Sequence, residues 1–307
     1  MHQEYDISVI TINYNGLDDT CALIDSLPFD DYALEVIVVD NASREDEASV
    51  IEQRYPQVTV IRSNENLGFA GGNNLGIRAS HGKYLLLINN DTLLGDEPSQ
   101  ASGKQLLQPL VDRLRSSDKI GIVCPKLRFT WDSRPIQFAG FTPLSPITVR
   151  NRSMGYGEDD HGQYDTPHTT PYAHGAAMMV RREAVERAGL MPECYFLYYE
   201  EIDWSLMMRR AGYEIWYEPQ TTVYHKESRS TGKESPLKTW YLTRNRLLLV
   251  KRNIACPKCW LSYAYLIGLV APKDIIKHAL RGRFRLSGAV LSGILAFLQG
   301  KQGSKMS

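Results

Sequence analysis

The sequence predicts an α/β protein: a doubly wound, mixed but mainly parallel sheet with helices on both faces, followed by a helical C-terminal region. Three observations carry this. Four short, β-branched and nearly continuous apolar runs, "DISVITINY", "LEVIVVD", "VTVIRS" and "KYLLLIN", open the chain, and such runs suit parallel strands covered on both faces. Between them lie "LDDTCALIDSL", "REDEASVIEQRY" and "GGNNLGIRAS", with apolar residues three and four apart, as on amphipathic helices. The alternation of the two periods is that of βαβ units, whose crossovers make the sheet parallel.

Past Asp91 the rhythm changes. "EPSQASGKQLLQPLVDRLRSS" reads as one helix and "IGIVCPKLRF" as a strand, before a Pro-, Gly- and Thr-rich stretch at 130–171. A segment that long without regular pattern is expected to be a lid, a substrate-binding insertion or a small hairpin layer. "AHGAAMMVRREAVERAG" gives a strand and a helix, "EEIDWSLMMRRAG" a further helix, and "YEIWYEP" and "QTTVYH" strand-like ends. From residue 236 onward "LKTWYLTRNRLLLVKRN", "CWLSYAYLIGLVAP" and "RLSGAVLSGILAFLQG" are helical and apolar, and none reaches the length that crosses a bilayer. The expected division is a catalytic unit over 1–235, with halves at 1–95 and 96–235, and an extension over 236–307.

Composition restricts the class. A chain of 307 residues with 43% hydrophobic content buries a sizeable core, which argues against disorder. Five scattered cysteines suit a reducing compartment, and "MHQEYDISVI" lacks the basic and apolar segments of a leader, so a cytoplasmic location is expected. The formal net charge of zero hides a division: residues 225–307 hold 16 Lys and Arg against 3 Asp and Glu. That tract predicts an anionic partner, with a membrane surface ahead of nucleic acid. The C-terminal helices therefore either lie on a membrane face or pack on the sheet. The Cys256-Pro-Lys-Cys259 pair has no second pair to complete a zinc site and reads as incidental.

In an open sheet, ligands sit beyond the carboxyl ends of parallel strands. Asn13, Asp40 and Asp91 fall at such ends. Two carboxylates on one edge suit a base or ribose at Asp40 and a metal at Asp91, while capping of the next helix is the rival role. "INYNGLDD" has one glycine where a dehydrogenase-type dinucleotide turn needs three. Glycines cluster instead in "NENLGFAGGNNLGI", which lets backbone approach a ligand closely.

"SVITINYNG", "VVDNAS", "NLGFAGGNNLGI", "LLLINNDT", "GAAMMVRRE", "FLYYEEIDWSLMMRRAGYEIWYEP" and "VYHKESRST" occur in the order and spacing of family 2 glycosyltransferases. Over residues 5–250 the chain resembles the bacterial rhamnosyltransferase-type members. The resemblance implies a GT-A fold, a nucleoside diphosphate sugar donor, a divalent cation (Mn²⁺ or Mg²⁺) and inversion at the sugar carbon. It implies donor contacts at Thr11, Asn13, Tyr14, Asp40, Asn66, Gly68, Phe69, Asn73, Asn89 and Asn90, and metal contacts at Asp91 and His225. The family commonly carries Asp-x-Asp where this chain reads Asn89-Asn90-Asp91, so one charged ligand remains. The general base falls on Glu201, a Glu where Asp is commoner, with Asp203 as the alternative. Ser228, Arg229, Ser230 and Thr231 offer phosphate donors, and Trp204, Trp216 and Tyr199 offer an acceptor platform, although aromatics near a helix start are more often core.

The function so implied is transfer of a sugar, with a lean to dTDP-rhamnose or a UDP-sugar, onto a glycan or polyprenyl-linked acceptor in cell-surface polysaccharide synthesis. Two rivals stay open: a sugar nucleotidyltransferase, which would be expected to carry a Lys-containing Gly-rich loop after the first strand, and a non-catalytic binding scaffold.

Overall fold

The structure, a computed structural model, describes residues 6–29, 32–95, 106–131, 133–226 and 235–304. Its centre is one mixed sheet in the order β3-β2-β1-β4-β9-β6-β10-β5, with β7 paired to β6 and β8 to β10. The parallel part comprises β1 (Ile7–Asn13), β2 (Leu34–Asp40), β3 (Thr59–Arg62) and β4 (Tyr84–Ile88). All five residues of β4 are buried because strands flank it on both sides and helices cover the faces. Each Leu so buried contributes roughly 2 kcal/mol. β3, at the sheet edge, has exposed or half-buried residues throughout.

Helices α1 (Leu17–Asp25), α2 (Glu47–Arg54) and α3 (Gly68–Ala79) complete the alternating units. α3 lies unusually close to β1, since a Cβ on Gly76 would stand 2.4 Å from Cγ2 of Ile10 and one on Gly72 2.8 Å from Cδ1 of Ile12. Side chains there would push the helix off the sheet and move the loop that precedes it.

Beyond β4 the sheet turns mixed. β5 (Thr92–Leu94) pairs antiparallel with β10 (Glu214–His225), β9 (Ala177–Arg181) lies antiparallel between β4 and β6 (Ile120–Phe129), and β10 runs parallel to β6. The two strand-like runs at 213–225 are one strand, β10, with a register shift between Glu218 and Thr222. Pro219 lies in that gap, where the ladder needs no donor. Of the single helix expected over 97–117, the described part is α4 (Gln108–Arg115), and residues 96–105 lie outside the described residues.

The segment 130–171 forms a layer stitched to the sheet. β7 (Ile136–Phe138) pairs with β6, and β8 (His168–Thr169) with β10. Lys126, itself buried, reaches out of β6 to Asp160 at 3.0 Å and also to Asp165. α5 (Arg182–Ala188) and α6 (Glu200–Arg210) follow β9.

The C-terminal region comprises α7 (Pro236–Asn253), α8 (Lys258–Tyr265), a π-helical turn over Leu266–Val270, α9 (Ala271–Leu280) and α10 (Phe284–Leu298). Pro272 lacks the N–H for a regular helical bond, and the wider turn before it absorbs that defect. α7 is no separate appendage: Trp240, Tyr241, Arg244, Asn245 and the run Leu247–Val250 are buried, and its far end is tied to α6. Among the described residues, no helix is long and apolar enough to cross a membrane.

Candidate active site

The parallel strand order reverses between β1 and β4, and in open sheets ligands bind in the crevice past the carboxyl ends at such a point. Asn13 closes β1 there, completely buried. Its Nδ2 donates to Asp40 Oδ1 at 2.9 Å, Glu47 Oε2 at 2.7 Å and Ser43 Oγ at 3.1 Å, while its Oδ1 accepts from Thr20 Oγ1 at 2.7 Å. Asn13 thus stands behind the surface and holds two carboxylates at the rim. Thr11 is also buried, with no hydrogen-bond partner for Oγ1 among the described residues, and Asn73 gives its amide back to Phe69 O at 3.0 Å. These three sit behind the rim. Tyr14, 46% exposed, stands on it.

Asn41, which sequence reasoning passed over, fastens the glycine-rich loop. Its Oδ1 accepts from Leu67 N at 2.9 Å, and its Nδ2 donates to Asn66 Oδ1 and Gly68 O, each at 3.2 Å. Asn66 Oδ1 also receives Gly68 N at 2.9 Å. Gly68 has φ +71°, and a Cβ there would stand 2.2 Å from Phe196 O, so the position takes glycine only. Phe69 N donates to the same Phe196 oxygen at 2.8 Å, joining the donor-side loop to the segment before α6.

After β4, Asn90 is turned toward α1, with Nδ2 donating to Thr20 Oγ1 at 3.0 Å. Asn89 N donates to Ala176 O at 2.9 Å and its carbonyl accepts from Thr92 Oγ1, which fixes the turn that presents Asp91. The pairing of β5 with β10 then sets His225 opposite Thr92 and brings His225 Nε2 to 3.1 Å from Asp91 Oδ1, both side chains nearly buried. Gln137 Oε1 faces His225 Nδ1 at 2.9 Å and fixes the orientation of the ring, so that Nε2 is presented to the Asp91 carboxylate. An imidazole nitrogen and a carboxylate oxygen at that distance are both metal-ligand types and can share a proton or a cation. Among the described residues, no group of three or more His, Cys, Asp or Glu is placed to hold a metal ion. A cation at this pair would take its other ligands from a bound substrate and water. Gln137 comes from the irregular 130–171 stretch, where no pattern marked it.

Past Ala176 the chain bends back through Gly175 and His174. A Cβ on Gly175 would lie 3.6 Å from Phe69 Cζ and 3.9 Å from Glu201 Cγ, so Glu201 borders the glycine-rich loop. His174 packs against Phe138 and Phe141, and burial, with His225 close by, pushes its imidazole down to about 3. It is a neutral wall of the site.

Glu201 and Glu200 open α6 from an unusual backbone, with Phe196, Tyr198 and Tyr199 at φ +69°, +72° and +77°. Three bulky residues in the left-handed region cost roughly 1–3 kcal/mol each and need outside support. That support comes from α7. Asn245 Nδ2 donates to the carbonyls of Tyr195, Leu197 and Tyr198 at 3.1, 2.7 and 3.0 Å, and Arg244 Nη2 donates to Tyr195 O at 2.6 Å. Burial raises Glu201 to about 7 against the opposing pull of nearby backbone amides; burial and the Glu201 charge raise Glu200 to about 8. Glu200 is buried, with Oε2 lacking a partner among the described residues, whereas Glu201 is half-exposed. Asp203, the alternative base, is completely buried and already occupied: Tyr195 Oη donates at 2.9 Å, Asn253 Nδ2 at 2.9 Å, and Arg252 pairs with it. It is a tie between α6 and α7.

The aromatic platform does not assemble. Trp204 is core, its Nε1 bonded to Gly189 O at 2.9 Å, and Trp216 lies against Arg113 and pairs with Glu214 near the opposite end of β10. Tyr199 instead lines a cavity of about 300 Å³ among α7, the π-helical turn, α9 and α10. Cys256 and Cys259 are free thiols with Sγ atoms 2.6 Å apart, remote in sequence from the crevice. Ser228 to Thr231 lie outside the described residues.

A polar rim at a strand-order switch, a paired Asp and His, and a half-buried acid of raised affinity for protons make up the kind of site that group-transfer enzymes use. Residues 8–189 match glycosyl transferase family 2, and the chain belongs to that family. It is a glycosyltransferase with the GT-A fold. It is 24% identical over 301 residues, 97% of this chain and 92% of the relative, to the low-salt glycan biosynthesis hexosyltransferase Agl10 of Haloferax volcanii. It is 26% identical over 223 residues, 66% of this chain and 69% of the relative, to the N-acetylglucosaminyl-diphospho-decaprenol L-rhamnosyltransferase of Mycobacterium tuberculosis. Among solved structures, the mannosyltransferase PcManGT of Pyrobaculum calidifontis, in complex with GDP-Man and Mn²⁺, superposes with a TM-score of 0.59 at 16% identity, covering 98% of this chain and 89% of that one.

Proposed function

We propose that the protein transfers a hexosyl group from a nucleoside diphosphate sugar to a hydroxyl of a glycan or lipid-linked acceptor, with inversion, in the assembly of a cell-surface polysaccharide. The observation that carries this reading is the approach of Asp91 and His225 to 3.1 Å, from positions far apart in the chain. Asp91 Oδ1 and His225 Nε2 would hold a divalent cation, Mn²⁺ or Mg²⁺, which when bound offsets the charge of a departing diphosphate. The relatives support the donor and acceptor classes: one is a hexosyltransferase, one acts on a decaprenol-linked diphospho sugar, and PcManGT holds GDP-Man with Mn²⁺. Rhamnose is the sugar that the second relative favours.

Glu201 takes the proton of the acceptor hydroxyl, whose oxygen attacks the anomeric carbon opposite the diphosphate and displaces it. One such displacement inverts the centre. Asp40 and Tyr14 serve the nucleoside from the rim, with Asn66, Gly68, Phe69 and Asn89 along the sugar-diphosphate path. Asn13, Thr11 and Asn73 support them from behind, and Asn90 anchors the turn.

A thermal-shift panel of nucleoside diphosphates and their sugars, with and without Mn²⁺, tests the reading. One nucleotide is expected to stabilise the wild type in a metal-dependent way, and Asp91→Ala with His225→Ala to abolish the metal dependence. A metal-independent shift that survives both substitutions would sink it.

A further inference from the structure

We propose that the hairpin of α9 and α10 docks the protein on a lipid bilayer surface carrying anionic head groups. The first ground is a concentration of apolar exposure. Of the 15 large hydrophobic residues exposed on the described surface, nine fall between Trp260 and Leu298. They are ordered: Leu269, Ile276 and Leu280 recur at helical spacing through the π-helical turn and α9, and Phe284, Leu291, Leu295 and Leu298 make one row along α10. Leu280 is 83% and Phe284 71% exposed at the bend between the helices. The opposite side of α10, carrying Leu286, Val290 and Ile294, is buried. Packing within the chain is therefore satisfied, and the outer rows remain.

The second ground is charge. Exposed Lys273, Lys277, Arg281 and Arg285 stand among these apolar residues, and over 258–301 Asp274 is the sole acid against seven Lys and Arg. A helix with apolar side chains beside lysines and arginines lies in the plane of a membrane interface, its apolar residues in the acyl boundary and its cations at anionic lipid phosphates. A second copy of this chain fits less well, because a two-fold contact through the same face would set these cations against their own images. No described helix is both long and apolar enough to cross the bilayer, so the proposed contact is with its surface.

Co-sedimentation of the full chain with phosphatidylcholine vesicles, with and without phosphatidylglycerol, tests this without recourse to turnover, so it can fail while the catalytic reading stands, and the reverse. The protein is expected to bind the anionic vesicles about tenfold more tightly than the neutral ones and to be released as salt rises. Leu291→Glu with Leu295→Glu, and separately Lys273→Glu with Lys277→Glu, should each weaken that binding about tenfold or more while the melting temperature stays at the wild-type value. A protein that stays in the supernatant with both vesicle types, or variants that sediment as wild type does, would overturn the proposal. So would light scattering that finds a stable dimer dissociated by the leucine substitutions.

Discussion

The two sides of the crevice are built in opposite ways. On the donor side, the segments that follow β1, β2 and β3 lock their own polar side chains together, with Asn13 bridging Asp40 and Glu47 and Asn41 holding Asn66 and Gly68. On the base side, the segment 195–199 holds a left-handed backbone that its own residues do not stabilise, and Arg244 and Asn245 grip its carbonyls from α7, about fifty residues away. The donor rim is self-supporting, whereas the base is held from outside. Loss of a donor-side residue should therefore weaken binding, and loss of a clamp residue should misplace a proton acceptor and leave binding largely intact.

The sharpest test of this division is Glu201→Gln. It should lower kcat by about 10²–10⁴-fold, the usual worth of a positioned base, with the metal-dependent nucleotide shift unchanged. Normal turnover by this variant would take the base role away from Glu201. Asn245→Ala comes next. It removes three hydrogen bonds from the segment, with Arg244 still holding Tyr195 O, and frees strained backbone, so a stability loss of about 2–3 kcal/mol should accompany a fall in kcat larger than any rise in donor KM. If KM for the donor changes more than kcat, the two sides are not separable as described.

pH sharpens the contrast further. The base must be ionised, and with Glu201 raised to about 7 the acidic limb of kcat/KM should bend near pH 7 rather than near an ordinary carboxylate value. Glu200, raised to about 8, keeps its proton in the folded state after the unfolded chain has lost it. Stability from this group is thus complete below its unfolded value of 4.5 and declines as pH climbs toward 8. Glu200→Gln should consequently melt several degrees above wild type at pH 8 and converge with it near pH 4.5. An unchanged difference across that range would mean that Glu200 is not held neutral.

The smallest effect is expected at Asn13→Ala on the donor side. Removing the amide leaves Asp40 and Glu47 facing one another without their bridge, at a cost of about 1–3 kcal/mol. Donor KM should rise several-fold while kcat at saturation stays close to wild type. A collapse of kcat instead would show the rim acting on the chemistry directly.

Much of this molecule was legible in the sequence. The order of strands and helices up to β4 follows from side-chain periodicity, because burial on both faces leaves no other pattern for runs such as Tyr84–Ile88. Asp40 and Asp91 stood out because they fall at the carboxyl ends of apolar strands, where ligands gather in an open sheet, with helix capping as the rival role. The strand directions past β4 could not be read, since an apolar run such as Ala177–Arg181 looks the same whether its partners are parallel or antiparallel. Resemblance, not periodicity, singled out Glu201 and His225.

The tertiary structure decided which polar residues act together. Glu200, Glu201 and Asp203 are near-equivalent as letters, but one is buried with its Oε2 unpartnered among the described residues, one borders the glycine-rich loop and one is consumed by Tyr195, Arg252 and Asn253. Gln137, His174, Arg244 and Asn245 gave no signal, because their roles depend on partners dozens of residues away. Local pattern fixes which face of an element is buried, since that depends on near neighbours in the chain. What meets at the end of that element is set by loop closure and packing, and no short stretch of sequence contains that information.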